Sequence, residues 1–160
     1  MNKAARHQDK NYGVALFQEK LRAPIWVIAF LLFLMSSLSI AIWAAVGFWP
    51  LVAASAAELL IVALYIRATT LKITVTKGWL LVGAAAIERA HIHQFEVLDS
   101  ATMRSARGVD FDPAAFLEIR YWVSTGIKIS IRDPKDPTPY WLISSRRASE
   151  LAKLLNLADH

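Results

Sequence analysis

At 160 residues the chain has room for about one domain with an appendage, and its hydrophobic fraction of 56% exceeds the roughly 45–50% of soluble domains. There is no cysteine, which excludes disulfide scaffolds, thiolate metal sites and thiol catalysis. The net charge of +5 comes from dispersed lysines and arginines whose longest run is the pair Arg146-Arg147, a pattern that argues against nucleic-acid binding.

Residues 1–24 read as a polar N-terminal segment carrying Lys3, Arg6, Lys10, Lys20 and Arg22. From Ala23 to Ala57 no residue is charged, and 35 such residues exceed the roughly 20 needed for one bilayer crossing. The run breaks once, at Gly47-Phe48-Trp49-Pro50, so two transmembrane helices are expected at about 25–46 and 51–70. The stretch is too long and too far from the N-terminus for a signal peptide, so it should be retained. Trp26 and Tyr65 would lie near one interface, and Trp43, Phe48 and Trp49 near the other. Cations crowd the outer flanks (Lys20 and Arg22 before, Arg67, Lys72 and Lys77 after), and the turn has none. The positive-inside rule then puts both termini in the cytoplasm.

Small residues on both helices (Ser36, Ser37, Ser39, Ala41, Ala44 and Ala45; Ala53 to Ala57) suit close helix packing, within the hairpin or against another membrane protein. Glu58 is the one ionisable residue inside the spans before Arg67, about level with Ser37 and Ser39. A carboxyl at that depth must be neutral, paired or in a polar cavity. It is expected to bond a serine of the first helix, with proton handling in an oligomer as the functional alternative.

Beyond Arg67 the periodicity becomes alternating, and residues 71–160 read as a β-rich cytoplasmic domain. Leu71–Thr76 and Trp79–Val82 flank Lys77-Gly78 as a hairpin. Phe95–Leu98 is a short strand, Phe116–Val123 and Gly126–Arg132 look like a second hairpin, and Tyr140–Ile143 reads as the last strand. Leu151, Leu154 and Leu155 then share one face of a C-terminal helix, with Ser144 or Ser145 as its cap. The fold class is α+β: a two-helix transmembrane hairpin followed by a small β-rich domain. Its strands-then-helix layout resembles a pleckstrin-homology-like (PH-like) barrel, with an open α+β sheet as the alternative.

Asp133-Pro134-Lys135-Asp136-Pro137-Thr138-Pro139 should form a stiff extended loop, and the Tyr140-Trp141 that follows offers a surface for partner docking. His91 and His93 would share a strand face but lack a third zinc ligand nearby, and Asp110 and Asp112 precede Pro113 in a turn. No acid, base and nucleophile converge, so no catalytic residue, metal or cofactor is expected. Lys20, Arg22, Arg67 and Lys72, extended by Arg104, Arg107, Arg146 and Arg147, are candidates for contact with anionic lipid headgroups.

Phe17-Gln18-Glu19-Lys20-Leu21-Arg22-Ala23-Pro24-Ile25-Trp26 and Asp133 through Tyr140-Trp141-Leu142-Ile143-Ser144-Ser145-Arg146-Arg147 resemble the family known as domain of unknown function 3093. Leu98-Asp99 through Arg104, Gly108, Asp112-Pro113-Ala114 and Arg120 are similar too. The resemblance implies a multi-pass protein of the bacterial, specifically actinobacterial, inner membrane, and supplies no activity. The expected function is a non-catalytic membrane-anchored scaffold or accessory subunit that presents its β domain to a protein partner or anionic lipid. A transporter-like or proton-handling homo-oligomer built around Glu58 is the alternative.

Overall fold

A computed structural model describes residues 12–108, 112–132 and 137–156. They divide into two compact units, Arg22–Thr70 and the residues on either side of it.

The first unit is a helical pair, α1 (Ile25–Val46) and α2 (Phe48–Thr69). A single residue, Gly47, joins them at φ 96°, a left-handed conformation that glycine adopts without steric cost. The second helix therefore starts at Phe48 rather than near Leu51. Pro50 sits inside its first turn, where the missing N–H would have had no helical partner. Each helix has 22 residues, about 33 Å at 1.5 Å per residue, so both are long and apolar enough to span a membrane. Neither has a narrow apolar stripe. Phe30, Phe33, Leu38, Trp43, Leu59, Leu60 and Leu64 are all exposed, and only Val27, Ser39 and Val62 are buried. Core helices of a water-soluble domain would bury those side chains.

The second unit holds two four-stranded sheets. Sheet one comprises β1 (Phe17–Leu21), β2 (Leu71–Val75), β3 (Trp79–Val82) and β4 (Ala85–Glu88), antiparallel and in chain order. The expected 71–82 hairpin is present, and Thr76 closes its turn: its Oγ1 accepts the Trp79 N–H at 3.1 Å. β1 lies ahead of the helical pair, in a stretch the sequence reading leaves as a flank. Its Phe17, Glu19 and Leu21 face inward while Gln18 and Lys20 face out, and it pairs with β2 from Phe17↔Val75 to Leu21↔Leu71.

Sheet two has the order β5 (Ile92–Leu98), β7 (Gly126–Ile131), β8 (Tyr140–Ser144), β6 (Phe116–Glu118). Here the expected hairpin between 116–123 and 126–132 is corrected. β6 stops at Glu118 and runs parallel to β8. The Arg120 N–H donates to Ser144 Oγ at 2.9 Å and the Val123 N–H to the Arg120 carbonyl at 2.9 Å, so the backbone turns where the alternation suggested more strand. Helix α3 (Ser100–Arg107) was not signalled by apolar periodicity. Asp99 caps it, accepting from the N–H groups of Ala101 at 3.0 Å and Thr102 at 2.8 Å. Helix α4 (Ala148–Asn156) matches the expected C-terminal helix, starting at Ala148, beyond the expected serine caps.

The two sheets and α4 share one core, built from Leu21, Leu71, Ile73, Leu80, Ile127, Ile129, Trp141, Ile143 and Leu151 among others. Leu98, Met103, Ala106, Tyr140 and Leu142 form a second core under α3. Alternate residues of β8 point into one core and then the other, which is why all five are buried. The α+β class holds. The described strands lie in two four-stranded sheets with no closed barrel among them, so the PH-like barrel is not shown.

Candidate functional site

Two segments far apart in the chain meet at Glu19. Because β1 alternates, Glu19 points into the unit and is 8% exposed. Its Oε2 accepts the Ser145 hydroxyl at 2.5 Å and its Oε1 accepts the Arg146 N–H at 2.9 Å. Ser145, fully buried, also accepts the Arg147 N–H at 3.1 Å, and its carbonyl receives the Thr125 hydroxyl at 2.7 Å. The Arg147 guanidinium grips Glu150 through two nitrogens and lies 4.8 Å from the centre of the Phe17 ring. A carboxylate that binds both a hydroxyl and a backbone N–H locks the strand before the helical pair to the turn that launches α4.

A second node lies at Ser144. Its Oγ receives the Arg120 N–H and, at 3.3 Å, Arg107 Nη2, which also donates to the Val123 carbonyl at 2.6 Å. Arg120 pairs with Glu118 at 3.2 Å. Burial pushes the Arg107 guanidinium down from its ordinary value. Hydrogen bonds from Thr102 and Ala101 hold the Asp99 carboxyl below the usual aspartate value.

A cleft of about 550 Å³ is lined by Trp79, Arg89, His93, Phe95 and Leu155 among others. Arg89 crosses from Thr76, whose carbonyl it binds at 3.2 Å, to the Leu154 and Leu155 carbonyls at 2.5 and 3.1 Å. It thereby satisfies two terminal carbonyls of α4.

The sequence-derived candidates fare unequally. Lys20 and Lys72 come together as direct cross-strand partners on the outer face of sheet one. Arg22 is exposed just ahead of α1, and Arg67 is exposed in the last turn of α2, where a cation complements the helix dipole. Tyr140 and Trp141 are corrected: they are 8% and 5% exposed, so they are core residues and not a docking pair. The Tyr140 hydroxyl accepts the Asp112 N–H at 3.1 Å, and Trp141 packs on Phe116 with ring centres 4.6 Å apart. Arg146 is exposed, whereas Arg147 is committed to Glu150 and Phe17.

Within the helical pair, Ser39 Oγ donates to Glu58 Oε1, the bond expected from their matching depth. His91 falls in a short 3-10 turn and His93 at a bulge, so strand spacing does not align them. Asp112 Oδ1 accepts the Ala114 N–H at 2.8 Å, a turn as expected. Asp110, Asp133 and Asp136 lie outside the described residues. Sequence reasoning missed Glu19, Ser145, Arg107 and Arg89 as organising groups. For Glu19 the signal was available: Phe17-Gln18-Glu19-Lys20-Leu21 alternates, which puts an acid on a buried face.

This geometry defines an α+β protein in which a helical pair interrupts two neighbouring strands of one sheet, β1 and β2. The profile of the family described as protein of unknown function, DUF3093, matches residues 16–155, and the chain belongs to that family. No curated protein and no solved structure matches it. Segments 17–26 and 137–147, both within the matched residues, are the ones that Glu19, Ser145 and Arg147 join.

Proposed function

We propose that the chain is a non-catalytic, membrane-anchored scaffold or accessory subunit, with a two-span hairpin whose flanks are both cytoplasmic and a β domain held there for a partner protein or anionic lipid. One observation carries the topology. β1 immediately precedes the hairpin, β2 immediately follows it, and the two are hydrogen-bonded neighbours in one sheet. Strands on opposite sides of a bilayer cannot pair, which supports spans that leave and return on one side. The excess of cations on those flanks, with none at Gly47–Pro50, favours the cytoplasmic side.

The scaffold reading is supported by what the polar groups do. Glu19 closes on Ser145 and Arg146, Arg89 on three carbonyls, and Arg107 on Val123 and Ser144. These groups build the fold. The Ser39–Glu58 bond likewise favours a structural part for Glu58 over proton handling.

The native chain has no cysteine, so single cysteines can report on sidedness. In intact cells, Trp49→Cys should react with an impermeant maleimide and Ser149→Cys only after permeabilisation. Labelling of Ser149→Cys from outside would overturn the topology. Purification from native membranes should bring down a stoichiometric foreign subunit. A homo-oligomer whose ion flux in vesicles is abolished by Glu58→Gln would replace the scaffold reading with the transporter-like one.

A further inference from the structure

The outer face of sheet one sets two like charges opposite each other. Lys20 on β1 and Lys72 on β2 are direct cross-strand partners, both exposed. Such a pair is unfavourable unless an anion lies between its members. Among the described residues neither lysine has a carboxylate partner. Protection of a free sheet edge would account for a lysine on β1, the edge strand. It does not account for Lys72, which lies on the interior strand β2.

A concavity of about 320 Å³ is lined by Gln18, Glu19, Lys20 and Lys72. That space would hold roughly ten waters, enough for a phosphate with a small esterified group. Gln18 lies two residues from Lys20 on the same face, and its cross-strand partner is Thr74. The face therefore offers two ammonium groups, an amide and a hydroxyl in a square. Directly opposed Cβ atoms lie about 5 Å apart, so two lysine stems can bring their ammonium groups to different oxygens of one phosphate at about 2.8 Å each. Glu19 is on the opposite face of β1 from Gln18 and Lys20, with its carboxylate turned inward to Ser145 and Arg146.

The geometry points to a phosphate-binding site at the Lys20–Lys72 pair, the chemistry shared by an anionic lipid headgroup and a free phosphate ester. The choice of lipid as the source rests on the membrane topology proposed above. The strands that carry the two lysines are the ones that adjoin the hairpin in the chain.

The test uses the full chain in detergent, with backbone amides followed by NMR during separate titrations. The probes are dihexanoyl phosphatidylglycerol, dihexanoyl phosphatidylcholine and inorganic phosphate. Phosphatidylglycerol should shift Gln18, Lys20, Lys72 and Thr74, with affinity at least tenfold weaker in Lys20→Gln/Lys72→Gln. The doubly charged variant Lys20→Arg/Lys72→Arg should retain binding, and Lys153→Gln, on the exposed side of α4, should match the parent. Tighter binding of phosphatidylglycerol than of inorganic phosphate assigns the lipid headgroup as the source. Equal binding of the two establishes a phosphate-ester site that survives even if the cysteine labelling refutes the topology. No shift at these four residues with any probe overturns the site, as does equal weakening by Lys153→Gln.

Discussion

Removing the Glu19 carboxylate tests whether the strand ahead of the helical pair belongs structurally to the β unit. In Glu19→Ala the Ser145 hydroxyl, on a fully buried residue, loses its acceptor, at a cost of about 1–3 kcal/mol. The Arg146 N–H belongs to an exposed residue and can turn to water, so its loss costs about 0.5–1.5 kcal/mol. Together they give about 2–4 kcal/mol, which for a domain of this size lowers Tm by about 10 °C. Glu19→Gln keeps one acceptor oxygen and should lose about half as much. Thermal unfolding of the detergent-solubilised full chain gives the magnitude. Hydrogen exchange gives the place, with protection falling in 17–21 and 145–150 before it falls elsewhere. A double-mutant cycle with Ser145→Ala should show coupling of at least about 0.5 kcal/mol. A Glu19→Ala protein that melts within about 2 °C of the parent with unchanged exchange would refute the clamp.

Three further outcomes are expected. At Gly126 an added Cβ would sit 2.4 Å from the Ile143 carbonyl oxygen and 2.9 Å from Met103 Cε, so Gly126→Ala should cost about 3 kcal/mol or more, read as the shift in the melting midpoint. Trp141→Ala, which opens a cavity beside Phe116, should cost about 3–5 kcal/mol in the same melt; a cost below 1 kcal/mol would return Trp141 to the surface. The folded Asp99 carboxyl titrates below its unfolded value, so its contribution to the α3 cap is complete above the ordinary aspartate range and fades as pH falls through the folded value. The protection factors of Ala101 and Thr102, with the intrinsic acid slowing of exchange divided out, should therefore fall on acidification in the parent and lose that pH dependence in Asp99→Asn, which keeps a capping oxygen.

The helical pair was legible because its signal is local. An uncharged run of known length, broken by one glycine, needs no knowledge of the rest of the chain, and Ser39 and Glu58 could be matched by counting outward from the turn. The 71–82 hairpin and the leucine face of α4 were legible for the same reason. What misled was alternation read without partners. Phe116–Val123 alternates well, yet Ser144 and Arg107 capture its backbone from 24 and 16 or more residues away and end β6 at Glu118. Tyr140-Trp141 looked like an exposed aromatic tip because nothing local says that β8 is covered on both faces.

The sequence by itself determined two apolar helices with a tight turn, the sign of charge on their flanks, and a strand-rich remainder ending in a helix. Only the tertiary structure decided that Phe17–Leu21 is a strand of that remainder, that the strands form two sheets, and that Glu19 meets Ser145 and Lys20 meets Lys72. A fragment beginning at residue 70 would therefore lose β1 and half of the lysine pair. The physical reason is range. Periodicity and turn chemistry are written in neighbouring residues, whereas strand pairing across an inserted hairpin depends on which distant edge offers hydrogen bonds and a buried face.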